Sequence, residues 1–465
     1  MLRFFRINDP YRLLAILVLL VLFALPVWLS DWPLTPPELL HQVLGESIAA
    51  GHRMYVEVYD ATAPFAAAIF GGTDWLFGRS LAGRHALTLL LLFFQAAFFA
   101  ILLINNKAYN DNTYVPGLVF GLLCFVSYDF LSYSPELFGS TLLLLALNNL
   151  FREIEFRIQR EETILSLGVY LGAASIFVFT YAIFLMGALL ILVIYTRISL
   201  RKVLLIIFGF LLPHLILFLI YLRWDALRLL WDNFYLPNLV GQRQLWVSWR
   251  SVLYLLALPA GYFVISLFML TREARFTKYQ SQLFQVMFWW LLIALVEIMV
   301  TKSFTPHSFI TTVPSLTYFV SHYLLLIRRR WIAEMMFLLF MGGILLLSNL
   351  ARTGRLSAVD YSAMKVAPAS HSAAVAGKKV MVLGNDLPVY LQNRLGGFFL
   401  NWPLSRETVA GMEYYDHVEK VNEAFLHNPP DVVIDHENLM PAVMERIPFV
   451  KETYRKEGNY YWRMP

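Results

Sequence analysis

Charge is what this chain has least of. Asp, Glu, Lys and Arg make up 15% of its 465 residues, against about 25% in soluble domains, so an ordinary soluble globule is excluded. Cysteine is nearly absent as well. Cys124 stands alone inside an apolar run, which rules out a disulfide within the chain and any zinc site built on paired cysteines. There is no GxGxxG, no GxxxxGK[ST], no nucleophile elbow, no kinase signature and no internal repeat. Basic clusters are short and lie beside apolar runs, so the net charge of +5 reads as topology and not as a nucleic-acid surface.

What is present in quantity is apolar sequence: 58% hydrophobic and 16% aromatic residues, with a mean hydropathy of +0.59. This is the composition of a polytopic α-helical membrane protein with many interfacial anchors. About eleven transmembrane helices can be laid down, near 13–30, 84–104, 114–131, 136–151, 163–180, 182–197, 203–222, 251–271, 283–301, 308–327 and 331–349. The first follows Arg3, Arg6 and Arg12 and is followed by Trp28, Trp32 and Pro33 instead of a small-residue cleavage site, so it is expected to be retained. With a cytoplasmic N-terminus, the segments NNKAYNDN, FREIEFRIQREE, TRISLRK, TREARFTK and IRRRW fall on the cytoplasmic side, as the positive-inside rule asks. An odd number of spans then leaves the C-terminus outside. The expectation is a multi-pass protein of the cytoplasmic (inner) membrane, with residues 1–349 as its membrane domain.

Two loops of that domain carry chemistry. The first outer loop, 31–83, holds Glu38, Glu46, Glu57, Asp60 and Asp74 among Ile48, Met54, Tyr55, Val58, Phe65, Ile69, Trp75 and Phe77. So many apolar residues mark a folded, membrane-hugging loop with acids held inside it. The second, 223–250, has Arg223, Arg228, Arg243 and Arg250 among six large aromatics. It reads as an interfacial helix, as an arginine site for phosphate or pyrophosphate, because guanidinium forks match phosphate oxygens, or as both at once. Within the spans, His214 reads as a hydrogen-bonded packing residue, and Glu297 either faces the bundle interior or reaches the interface.

After the last span the pattern changes. Residues 350–376 are polar and small, suiting a linker. Residues 377–465 read as a small extracytoplasmic α/β domain: a buried strand at KVMVLGND, a helix over 387–393, a strand at DVVIDH and a last strand in GNYYWRMP.

The opening loop also resembles a known family. Gly51, Tyr55, Glu57 and Pro64, followed by Phe77, Gly78, Ser80 and Arg84, match G-x-x-x-Y-x-[DE], a later Pro and [LF]-F-G-x-S-x-x-x-x-R. That pattern resembles the GT-C membrane glycosyltransferases that use polyprenyl-phosphate sugars, the superfamily of protein mannosyltransferases and aminoarabinose transferases. SPELFGSTLLLLALNNLFR, with Glu136, resembles that class's second outer loop and fourth helix, and His307 with Pro314 resembles the start of a late helix. Members usually place an aspartate soon after the first helix, where this chain has Pro36, Pro37 and Glu38.

The resemblance implies transfer of a hexosyl or pentosyl unit, with inversion, from a polyprenyl-phosphate-linked sugar to an extracytoplasmic glycan, lipid or protein. Glu38 or Glu46 would be the catalytic carboxylate. Glu57, Asp60 and Glu136 would bind acceptor or a divalent metal through oxygen, the only cofactor expected. Arg84, Arg223, Arg228, Arg243 and His307 would bind the donor phosphate and its lipid. Membrane lipid is a partner; nucleic acid is not. The altered aspartate position leaves open a non-catalytic scaffold or assembly protein on the same fold. A transporter is the third reading, but its mark, polar groups at the bilayer midplane of paired halves, is not what the sequence emphasises.

Overall fold

The computed structural model describes residues 1–30, 34–156, 161–196, 198–273, 276–366 and 375–464. Among the described residues, nine helices are long and apolar enough to cross a membrane: Tyr11–Trp28, Leu81–Asn105, Pro135–Ile154, Phe179–Thr196, Leu200–Arg223, Trp249–Arg272, Lys278–Val300, Pro306–Leu326 and Arg330–Arg352. Each covers one of the expected spans, and the protein is a multi-pass helical membrane protein.

The other two expected spans come out shorter. The one at 163–180 is the helix Glu161–Phe177, of 17 residues. The one at 114–131 is a nine-residue helix, Val115–Leu123, followed by a 3-10 turn at Tyr128–Leu131. The chain leaves the helix where two polar side chains find distant partners. Ser127 Oγ lies 2.7 Å from Tyr361 Oη, and Asp129 Oδ2 accepts the His307 N–H at 2.8 Å.

The chain divides into two compact units. The first comprises Met1–Trp32, Leu81–Leu217 and Gln242–Ala363. Its helix Pro306–Leu326 is almost wholly enclosed, whereas Leu200–Arg223 presents Leu204, Phe208, Leu211 and Leu215 outward, as a lipid-facing helix does. Glu161–Phe177 and Leu200–Arg223 touch backbone to backbone through Gly168, Gly172 and Gly209. A Cβ on Gly168 would stand 2.2 Å from the Ile206 carbonyl oxygen, and one on Gly172 2.2 Å from that of Phe210. This is the small-xxx-small device of membrane helix pairs. Two short strands, β1 (Gln244–Leu245) and β2 (Ser303–Phe304), pair in parallel.

The second unit comprises Pro33–Ser80, Phe218–Gly241 and Met364–Pro465. The helix Pro36–Ala49 starts where Thr35 Oγ1 accepts the Glu38 N–H at 3.3 Å, with prolines in its first turn where a missing N–H costs nothing. It packs against Pro64–Phe77 at two small residues. A Cβ on Gly45 would meet the Phe70 carbonyl oxygen at 2.7 Å, and one on Gly71 would meet Ile48 Cγ2 at 2.7 Å.

The same unit holds a five-stranded sheet made of β3 (Lys379–Leu383), β4 (Arg394–Leu395), β5 (Val432–Asp435), β6 (Tyr454–Glu457) and β7 (Tyr460–Arg463), in the order β4-β3-β5-β7-β6. β4, β3 and β5 run parallel; β7 is antiparallel to β5 and β6. The apolar runs expected as strands are β3, β5 and β7. The helix expected over 387–393 is a 3-10 turn, Leu387–Leu391, closed by Asn393 Nδ2 donating to the Val389 carbonyl at 2.8 Å. Part of the expected linker (367–374) and the start of the first loop (31–33) lie outside the described residues.

Candidate functional site

The carboxylates expected to do chemistry in the second unit are Glu38, Glu46, Glu57 and Asp60, and three of them are held by named donors. Glu46 receives a two-pronged contact from Arg79, with Nη2 2.8 Å from Oε2 and Nε on Oε1. The same guanidinium donates to the carbonyls of Tyr390 (3.2 Å), Leu391 (3.0 Å) and Asn393 (2.6 Å). Glu57 accepts from the Arg53 N–H at 2.8 Å and from its guanidinium at 3.1 Å, with His52 Nδ1 4.0 Å away. Burial opposes its ionisation, yet the Arg53 hydrogen bonds hold the Glu57 carboxyl below its usual range. Burial also holds the His52 imidazole below its usual value.

Asp60 is buried. Its Oδ2 accepts the Thr62 N–H and its Oδ1 accepts from Asn401 Nδ2, both at 2.9 Å. Main-chain bonds reinforce the link, from Tyr59 N–H to the Phe398 carbonyl (2.7 Å) and from Asn401 N–H to the Tyr59 carbonyl (3.0 Å).

The Gly51–Tyr55–Glu57 motif is a turn. Gly51 sits at φ +97 and Tyr55 at φ +67, the latter rare for a bulky residue. Tyr55 tolerates it because its buried Oη donates to the Thr62 carbonyl at 2.6 Å and its ring lies 5.7 Å from that of Tyr221. Tyr221 Oη in turn donates to the Met54 carbonyl at 3.1 Å. Glu38 is buried in the first turn of Pro36–Ala49, beside Leu39 and on the same helix as buried Gln42 and Val43. Arg223 is exposed, and exposed Arg228 pairs with Asp232 at 3.6 Å.

The first unit assembles a different cluster. Ser134 Oγ lies 3.1 Å from His307 Nδ1, and the His307 ring packs on Phe130 at 5.1 Å. With its N–H on Asp129, His307 is fixed at three points, while its buried Nε2 has no hydrogen-bond partner. Glu297 is buried and faces the bundle interior, accepting from Thr180 Oγ1 at 2.5 Å with Thr311 Oγ1 at 3.5 Å. Glu136, in the first turn of Pro135–Phe156, lies within electrostatic range of Glu297 and Tyr181.

Arg84 is buried in the first turn of Leu81–Asn105. Arg243 donates to the carbonyls of Met299 (3.0 Å) and Ile298 (2.8 Å), capping the C-terminus of Lys278–Val300. Its guanidinium also lies over the rings of Trp249 and Phe304, at 5.1 and 4.9 Å. His214 is the packing residue expected, 2.8 Å from Ser175 Oγ. Among the described residues, no group of three or more His, Cys, Asp or Glu side chains is placed to hold a metal ion.

Sequence reasoning passed over Arg79, Asn401, Asp129 and Ser134. Arg79 was within reach, since it sits inside the FGRS stretch that carries the loop motif. Asp129 lies in the apolar run 114–131, where a single acid is itself a signal. Nothing local marks Asn401 as a partner of Asp60.

No family model matches the chain, and no curated protein matches it. Solved structures do. ArnT from Cupriavidus metallidurans, determined with undecaprenyl phosphate bound, aligns over 93% of this chain and 88% of its own, with a TM-score of 0.51 and 14% identity. The oligosaccharyltransferase of Archaeoglobus fulgidus in its apo form aligns over 91% of this chain and 69% of its own, with a TM-score of 0.50 and 9% identity. The fold of this chain is GT-C-like.

Proposed function

We propose that this GT-C-like protein is a membrane glycosyltransferase. It would move a sugar from a polyprenyl-phosphate donor to a hydroxyl of an extracytoplasmic glycan, lipid or protein. The observation that carries the reading is the near full-length likeness to ArnT, a structure solved with undecaprenyl phosphate. The N-terminus is placed in the cytoplasm of the inner membrane and the C-terminal sheet outside, on the alternation of basic segments.

Glu38 is the proposed base. The acceptor oxygen attacks the anomeric carbon from the face opposite the phosphate, the carbon–oxygen bond to phosphate breaks, the configuration inverts, and the acceptor proton passes to Glu38. Glu46 is the second choice, its two oxygens held by Arg79. Glu57 and Asp60 hold partners of their own, and Glu136, which Ser134 hydrogen-bonds, is the proposed acceptor ligand. Arg84, Arg223, Arg228 and His307 remain the donor-phosphate candidates. Arg243 is committed to helix carbonyls. With the oxygens of Glu57 and Asp60 taken, the residues do not fit a divalent metal, and no step of this reaction is routed through one.

A second reading, a non-catalytic scaffold on the same fold, is favoured by the same engagement of acids in architecture. The deciding measurement is sugar transfer from a polyprenyl-phosphate donor by purified protein, with mass spectrometry of the lipid that co-purifies. Glu38→Gln is expected to fold normally and to lose about 10²–10⁴-fold in rate. An active parent matched by Glu38→Gln would put the base elsewhere. A parent that neither retains polyprenyl phosphate nor binds the donor is a scaffold.

A further inference from the structure

Within the first unit, the helices that carry Glu297 and His307 end, roughly 20–25 Å away by helical rise, at another polar feature. Gln280 on Lys278–Val300 and His322 on Pro306–Leu326 line a cavity of about 100 Å³ together with Tyr109, Asn110, Asp111 and Phe276. These residues come from segments whose basic neighbours place them on the cytoplasmic side.

The cavity is built, not incidental. Tyr109 Oη donates to the Tyr318 carbonyl at 3.2 Å, and Gln280 Nε2 donates to Asn110 Oδ1 at 3.1 Å. Rings wall it, with Tyr109 4.4 Å and Phe276 5.4 Å from His322 between centroids. His322 is 6% exposed, its ring lies within reach of the Tyr318 carbonyl, and its Nδ1 has no well-aligned hydrogen-bond partner. A buried ring nitrogen without an aligned partner is an acceptor or donor waiting for a group that the fold does not supply.

The sign of the cavity identifies that group. Its described lining holds one carboxylate, Asp111, three aromatic rings, and no Lys or Arg. Ring faces and a carboxylate attract a cation, and the carboxylate holds best one that carries N–H donors. At the Leu325 side, Arg6 Nη2 donates to the carbonyls of Leu324 (2.9 Å) and Leu325 (3.5 Å). Arg6 also lies within electrostatic range of Asp111. A carboxylate and a guanidinium side by side are the complement of a zwitterion.

We propose that this cavity binds a phosphoethanolamine group, its primary ammonium taken by Asp111, the Tyr109 and Phe276 rings and His322, and its phosphate by Arg6. The site stands independently of sugar transfer.

The test uses the full chain in phosphatidylglycerol nanodiscs doped with phosphatidylethanolamine, phosphatidylcholine or N-acetyl-phosphatidylethanolamine, with retained lipid counted by native mass spectrometry. Phosphatidylethanolamine is expected to be retained and the other two lost, because choline has no N–H and acetylation removes the charge. Asp111→Asn, at an exposed position, is expected to keep the parent's melting temperature and to bind at least about tenfold more weakly. Soluble phosphoethanolamine that displaces the lipid at equal concentration would name a free amine as the source; failure to displace would name the lipid. Either result keeps the ammonium assignment. Equal retention of phosphatidylcholine or the N-acetyl lipid, or unaltered binding by Asp111→Asn, overturns it.

Discussion

Glu46, Glu57 and Asp60 of the second unit each meet an arginine, an asparagine or a main-chain N–H. The helix Pro306–Leu326 of the first unit does the opposite, burying His307 Nε2, Thr317 Oγ1 and Tyr318 Oη with no hydrogen-bond partner. Acids whose lone pairs are filled hold architecture, and substituting them should weaken the fold. Polar atoms buried bare cost stability, and their persistence marks places where something other than the fold makes use of them. At Glu46, Glu57 and Asp60, charge therefore marks architecture, while the enclosed helix keeps uncharged polar groups that the fold does not use.

Arg79→Ala should have the largest effect, stripping Glu46 of its partner and three carbonyls of their donor. A loss of about 2–3 kcal/mol is expected, read as a lower melting temperature and faster proteolysis within 33–80 and 364–465. An unchanged melting temperature would break the comparison and return Glu46 to the list of bases.

The contrast is sharpened by a substitution of opposite sign. Thr317 is fully buried with a bare hydroxyl, so Thr317→Val, equal in shape, should stabilise the protein by about 1 kcal/mol. Destabilisation of that size would mean that the hydroxyl is used by the fold after all.

The smallest effect belongs to Glu57. Its folded-state carboxyl sits below the usual range, so the pairing stabilises the fold above the unfolded-state value and is lost as pH falls through the folded one. Glu57→Gln should remove that acid-side dependence and cost only a few tenths of a kcal/mol near neutrality. A pH–stability curve identical to the parent's would show that Arg53 and Glu57 are not coupled.

Much of the scaffold was legible because span-length hydropathy and short continuous apolar runs are local signals. The nine long helices and strands β3, β5 and β7 follow from them. The region 114–131 was misjudged because apolar content says nothing of Ser127 reaching Tyr361 or Asp129 reaching His307. The partners of the loop's acids are not legible in the sequence. Asn401 lies far along the chain from Asp60; pairing at that separation is set by tertiary structure alone. Arg243 looked like a phosphate ligand because the helix end it caps cannot be seen from its own neighbours.

The glycine seam between Glu161–Phe177 and Leu200–Arg223 bears on traffic within the bilayer. With Gly168, Gly172 and Gly209 letting main chain rest on main chain, the joint has no side-chain layer for an acyl tail to part. A long-chain lipid approaching from the surrounding membrane finds no opening at that joint.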